Sequence, residues 1–147
     1  MQVFIPYASP LKTAIVMRGD KRFHKQILET KQILAAIEGP TKGYANHPVT
    51  KMYSDHSDWL KLYLEVFVAV RDNKMWQALD KSKEASKMRP EWMTDELCDQ
   101  HKRRLYTKAP QRYPQWAHLG TSQENWYVVE NTIKKYINGK IVLQNKN

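Results

Sequence analysis

The sequence predicts an all-α fold: a single compact helical domain over residues 1-147, with a short extended N-terminal arm and an irregular aromatic C-terminal tail. Apolar residues recur at alternating spacings of three and four over much of the chain, and capping and stop residues bracket those runs. Strand-type alternation is confined to the first few positions. The length, 147 residues with 41% hydrophobic content, suits one core and is short for two.

The elements follow in order. Val3 and Ile5 alternate with Gln2 and Phe4 before Pro6, giving an extended arm. Ser9 caps a short helix with Pro10 at its first position, running toward Met17. Asp20 is placed to N-cap the next helix, which Gly39-Pro40 stops after Glu38; Phe23, Ile27, Thr30, Leu34 and Ile37 form its inward stripe. A loop from Gly39 to Asn46 carries Lys42, Gly43 and Tyr44. Asn46 and Pro48 then open one long helix whose period holds from Val49 through Tyr53, Trp59 and Phe67 to Asp72-Asn73, ~35 Å at 1.5 Å per residue. A third helix spans Met75 to Met88 before Pro90, and a fourth runs from Thr94, with Asp95 and Glu96 in its first turn, to near Arg104. In the tail, a helix is expected from Ser122 or Gln123 to Tyr136.

Charge narrows the partners. There are 24 Lys plus Arg against 15 Asp plus Glu, a net +9, so a polyanion is the natural partner, with nucleic acid ahead of a membrane surface. Five Trp, eight Tyr and three Phe exceed what a core of this size needs, which leaves some for the surface. Cys98 is the sole cysteine, so no intramolecular disulfide forms and a reducing, intracellular (cytoplasmic) setting is expected. No secretory leader and no stretch approaching the ~20 apolar residues of a membrane span is visible. His24, His47, His56, His101 and His118 have no metal-ligand spacing, so neither a metal nor a small-molecule cofactor is expected. Walker, Gly-x-Gly-x-x-Gly, Gly-x-Ser-x-Gly and His-Glu-x-x-His motifs are missing, which removes the sequence support for most common enzyme classes.

Two segments carry chemistry. On the Asp20 helix, 100° per residue brings Arg22 and Glu29 nearly in line, with Lys25, Gln26 and Gln32 beside them and the apolar stripe turned away. A plain solvated surface would need only the Lys25–Glu29 pair, worth ~0.3 kcal/mol. In the tail, His101-Lys102-Arg103-Arg104-Leu105-Tyr106-Thr107-Lys108 is followed by Arg112, Tyr113, Trp116, Trp126-Tyr127 and Lys134-Lys135-Tyr136-Ile137-Asn138-Gly139-Lys140. Cations interleaved with rings suit phosphate neutralisation and base stacking, although the same rings would equally serve a core.

The run Asp20 to Glu29, then His47 followed by Val49-Thr50 and Tyr53 ahead of a Leu-rich helix, resembles the phage-type pyrimidine-dimer DNA glycosylase family, also called endonuclease V. The segment Lys135 to Lys140 is similar to that family's aromatic C-terminal end. The resemblance implies a compact all-α protein, one DNA glycosylase-like domain, that flips a nucleotide out of double-stranded DNA and cuts its glycosidic bond. It places the family's catalytic carboxylate on Glu29 and its cationic helix residue on Arg22, with Arg22 and Lys25 holding flanking phosphates. DNA contacts are expected from Lys21, Gln26, Asn46, His47, Arg103, Arg104, Lys108, Arg112, Trp126, Tyr127, Tyr136 and Lys140, and the protein is expected to act as a monomer.

One departure bears on mechanism. The family's nucleophile is the α-amine of a small residue exposed by removal of the initiator Met, whereas Gln2 is large and should leave Met1 in place. This argues against lyase chemistry through that amine. Three routes stay open: the Met1 amine folds back into the site, Lys21 or Lys25 forms a Schiff base, or Glu29 activates water, the route favoured here. A non-catalytic basic DNA-binding module is the competing reading, and a factor that meets an acidic protein partner is a third.

Overall fold

The computed structural model describes residues 1–39 and 45–142. Six α-helices are described: α1 (Pro10–Met17), α2 (Arg22–Glu38), α3 (Pro48–Tyr53), α4 (Ser57–Arg71), α5 (Met75–Lys87) and α6 (Asp95–Lys108). A 3-10 helix (Pro114–Leu119) follows, then β1 (Asn125–Val129), β2 (Thr132–Ile137) and β3 (Lys140–Ile141). The fold is therefore mostly helical with a small C-terminal sheet, which corrects the all-α expectation. Lys42, Gly43 and Tyr44 of the expected loop lie outside the described residues.

Helix α4 is the centre of the core. Trp59, Leu60, Leu62, Tyr63, Val66, Phe67, Ala69 and Val70 are all buried, so the helix is apolar around most of its circumference, and α1, α2 and α5 pack on it. Each fully buried aliphatic or aromatic side chain here contributes about 1.5–3 kcal/mol. Phe23 of α2 stacks on Phe67 with ring centroids 5.0 Å apart, and Phe67 stacks on Tyr63 at 4.5 Å. Phe23, Ile27, Thr30 and Leu34 form the buried stripe expected of α2, and Gln26 and Ile33 widen it.

The long second helix is in fact two. Helical period persists across Ser54-Asp55-His56, but the Ser54 hydroxyl donates to the Lys51 carbonyl at 2.9 Å and the His56 N–H turns back to the Tyr53 carbonyl, ending α3. Short polar side chains compete for backbone groups in this way, and a periodic pattern cannot register the resulting turn. Helix α3 is capped by His47 rather than Asn46, its Nδ1 accepting from the Val49 N–H at 3.1 Å. Asp20 stands one residue ahead of the cap position of α2, which Lys21 occupies. Its carboxylate still accepts the Arg22 N–H at 2.9 Å, and it also takes the Tyr113 hydroxyl at 2.6 Å and the Arg22 guanidinium at 3.1 Å. Helix α6 continues past Arg104 to Lys108.

The expected helix from Ser122 or Gln123 to Tyr136 is a hairpin. Strand β1 pairs antiparallel with β2, Asn125 opposite Tyr136 and Val129 opposite Thr132, and β2 pairs with β3 across Ile137 and Lys140. Both two-residue turns, Glu130-Asn131 and Asn138-Gly139, have positive φ at each position, as the right-handed twist of a hairpin requires. The β-branched and aromatic content of Trp126 to Val129 and of Thr132 to Ile137 supplies the strands.

The N-terminal arm is threaded into the interior. Val3, Phe4 and Ile5 are buried, and their peptide groups are met by side chains from three helices. Gln26 Oε1 accepts the Phe4 N–H at 2.9 Å and its amide donates to the Gln2 carbonyl at 3.0 Å. Tyr63 donates to the Phe4 carbonyl at 2.8 Å, and His101 Nδ1 accepts the Ile5 N–H at 2.9 Å. A neutral His101 then carries its proton on Nε2, 3.3 Å from the Gln2 amide, so that amide presents its oxygen to the ring.

Candidate functional site

Helix α2 brings Arg22, Lys25, Gln26 and Glu29 to a cavity of about 120 Å³ completed by the arm residues Met1, Gln2 and Phe4, by Arg104 and Lys108 of α6, and by Asn125 at the start of β1. Among the described residues, Glu29 is the one acid in this lining; four cations share it. The Glu29 side chain is only 14% exposed, whereas Lys25, 3.9 Å away, is 68% exposed. The carboxylate therefore points inward while its lysine partner reaches out. Arg22 is held by Asp20, its side chain 19% exposed.

Electrostatics within the cavity bear the mark of crowded cations. Lys108 has its pKa lowered by burial and by Arg104, Arg22 and Lys25, with Glu29 opposing. Arg104 is buried, donating through Nε to Asn125 Oδ1 at 3.0 Å and through a terminal nitrogen to the Ser122 carbonyl at 2.9 Å. Burial lowers its pKa as well. An anion entering this space would relieve the repulsion among these cations.

Of the other residues that the sequence marks for nucleic-acid contact, several are engaged elsewhere. Gln26 stands in the cavity wall but is 2% exposed, its amide already satisfying backbone groups that the arm carries inside. Arg112 braces the α1–α2 connection, donating to the Arg18 carbonyl and lying 3.8 Å from Asp20. Arg103 donates to the Leu119 carbonyl at 3.0 Å. Trp126 is buried with Lys135 over its ring at 4.4 Å, its directly opposite neighbour across the sheet. Tyr127 is buried too, its hydroxyl donating to the Met1 carbonyl at 2.6 Å. Lys21, Asn46 and Lys140 are exposed, outside the Glu29 cavity. His47, Tyr127 and Tyr136 line a second cavity beside the first. Burial and the Met1 amino group lower the His47 pKa.

Sequence reasoning does not bring Gln2, Phe4 and Asn125 to this site. Like Met1, they reach the cavity through chain topology, and no local motif marks them. Cys98 is buried and its pKa is pushed up to about 11, mainly by burial, which suits an inert thiol. Among the described residues, no group of three or more His, Cys, Asp or Glu side chains could hold a metal ion, and no helix is long and apolar enough to cross a membrane.

A family model described as pyrimidine dimer DNA glycosylase matches residues 1–81 of the 147. The chain belongs to that family. The matched segment carries Met1, Arg22, Lys25 and Glu29, and the remainder supplies Arg104, Lys108 and Asn125 to the same cavity. No curated protein and no solved structure matches the chain.

Proposed function

We propose that this protein is a DNA glycosylase that excises a damaged or modified pyrimidine base from double-stranded DNA after flipping the nucleotide into the Glu29 cavity. The observation that carries the reading is an inward-pointing carboxylate ringed by Arg22, Lys25, Arg104 and Lys108 in a chain of that family. The cations hold the phosphates on either side of the extruded sugar. As the bond between C1′ and the base nitrogen breaks, its electron pair leaves with the base and positive charge develops at C1′. Glu29, its side chain largely shielded from solvent, stabilises that charge and takes a proton from the attacking group.

The attacking group in this reading is water oriented by Glu29. Met1 lines the same cavity, which keeps its amine in contention; Lys25 lines it as well, whereas Lys21 does not. Borohydride treatment during turnover separates the routes: a purely hydrolytic enzyme leaves no trapped adduct, and peptide mapping of any adduct identifies the amine.

The test of the function is Glu29→Gln assayed on duplexes that carry pyrimidine lesions, with free base, strand breaks and binding measured separately. Base release should fall by at least about a hundredfold with affinity nearly intact. Release at the wild-type rate would remove Glu29 from the chemistry, and binding without release by the wild-type protein would make this a non-catalytic DNA-binding module.

A further inference from the structure

We infer that Leu28 is a wedge that enters the DNA stack as a nucleotide leaves it and fills the gap left behind; the inference rests on the glycosylase reading above and deepens it. Leu28 stands immediately before Glu29 on α2 and is 56% exposed. It belongs neither to the core nor to the partly buried apolar residues packed against it. Of the large apolar side chains exposed among the described residues, it is the one that α2 carries.

Its neighbours identify what it meets. At 100° per residue, Lys21, His24, Lys25, Lys31 and Gln32 all lie within about 60° of Leu28 around the helix. The three lysines and His24 are exposed. Glu29, the one acid between Lys21 and Gln32, is turned about 100° away, and its side chain is 14% exposed. An apolar protein surface closing on Leu28 would strip water from that basic row with nothing to pair it. A polyanion pairs the row instead, and the base faces uncovered by an extruded nucleotide give the leucine an apolar surface to meet.

The position on α2 suits this task. Lys25 lines the Glu29 cavity, and Leu28, three residues on, is its neighbour on the helix surface, with Cβ atoms about 5–6 Å apart. Leu28 thus marks the outer lip of the cavity, one residue from the carboxylate that points inward. With the extruded sugar at Glu29, the vacated step lies beside that lip. A leucine fills the step without carrying a polar atom between the bases, whereas a lysine there would carry its charge in.

The test uses a duplex with a thymine dimer on a 2′-fluorinated sugar that resists cleavage, and 2-aminopurine next to the dimer, whose fluorescence rises when it loses its stacking partner. Wild-type protein should raise the fluorescence on binding. Leu28→Ala should cut that rise to about a third or less and slow base release from the ordinary dimer about tenfold at saturating DNA. The slope of log affinity against log salt should not change, because a leucine releases no counterions. Leu28→Met should restore both signals. Leu28→Lys, which continues the basic row, should steepen the salt slope by about 0.9 and still fail to unstack the duplex. Leu28 packs against no core residue, so all three variants should keep the wild-type urea midpoint. Full unstacking by Leu28→Ala or Leu28→Lys would overturn the inference, as would a failure of Leu28→Met to restore it. Absence of any fluorescence rise with wild-type protein would instead sink the flipping reading itself.

Discussion

The seat of the N-terminal arm should be acid-labile because of one histidine. His101 is 1% exposed, and burial together with the nearby Arg104 lowers its pKa from 6.5 to about 3. In the unfolded chain the imidazole binds its proton near 6.5, in the folded chain only near 3, so the unfolded state holds more protons throughout that interval. Stability must fall as pH drops below about 6.5, at about 1.4 kcal/mol per unit, and the loss levels off near 3 at about 5 kcal/mol. At pH 4.5 the loss should be about 3 kcal/mol, or roughly 6–12 °C in Tm for a chain of this length. The local cause is concrete: a protonated ring would turn a second N–H toward the Ile5 N–H that it now accepts at 2.9 Å. Urea unfolding followed by tryptophan fluorescence at pH 7.0, 6.0, 5.0 and 4.5 measures the slope. His101→Gln removes the titrating group and should flatten it, at a cost in stability at pH 7. His47 has its pKa lowered in the same direction, so His47→Asn, which retains a capping side chain, serves as the control for its share. Parallel pH slopes for wild type and His101→Gln would refute the reasoning. So would an imidazole resonance of His101 that titrates near 6.5 in the folded protein.

Tyr113→Phe should destabilise the protein by about 2 kcal/mol at pH 7, because the 2.6 Å bond to the buried Asp20 carboxylate is lost. Burial alone would raise the Asp20 pKa, but the Tyr113 hydroxyl, the Arg22 N–H and the Arg22 guanidinium outweigh it and hold the pKa below 3.8. That contribution is present above pH 3.8 and fades as pH falls, so the wild-type and variant denaturation midpoints should converge in strong acid. Gly139→Ala meets no atom within 4 Å, so its cost, about 1 kcal/mol in urea unfolding, should come from the positive φ of 77° alone. Lys108→Ala should weaken DNA binding and lower the slope of log affinity against log salt by about 0.9, whatever the sequence bound. An unchanged slope would remove Lys108 from phosphate contact.

Legibility of the fold in the sequence follows the range of the forces involved. The inward stripe of α2, the Ser9-Pro10 start of α1 and the stop before Pro90 are short-range features, and each appears where the sequence places it. The division between α3 and α4 depends on a Ser54 side chain choosing a backbone partner, which periodicity does not register. The hairpin has local signals in Asn138-Gly139 and in the β-branched run before it, but the cationic and aromatic content of the tail suits a DNA-facing surface just as well. Trp126 and Lys135 show why: the same pair that would stack and neutralise a nucleic acid instead satisfies itself across two strands. For the site, the α2 face is visible because Arg22, Lys25 and Glu29 lie within two turns of one helix. Met1, Lys108 and Asn125 join them only through tertiary closure.

That closure has a consequence for how the molecule is made. The hydrogen bonds of Ile5, Gln2 and Met1 to His101 and Tyr127 span 96, 99 and 126 residues. During synthesis residues 1–5 can meet Gln26 and Tyr63 early, but the His101 and Tyr127 bonds that complete their seat form only after most of the sequence has been made. A chain cut after residue 81 keeps the whole family-matched stretch and the Gln26 and Tyr63 bonds to the arm, yet it loses the His101 and Tyr127 bonds and the Arg104, Lys108 and Asn125 side of the Glu29 cavity.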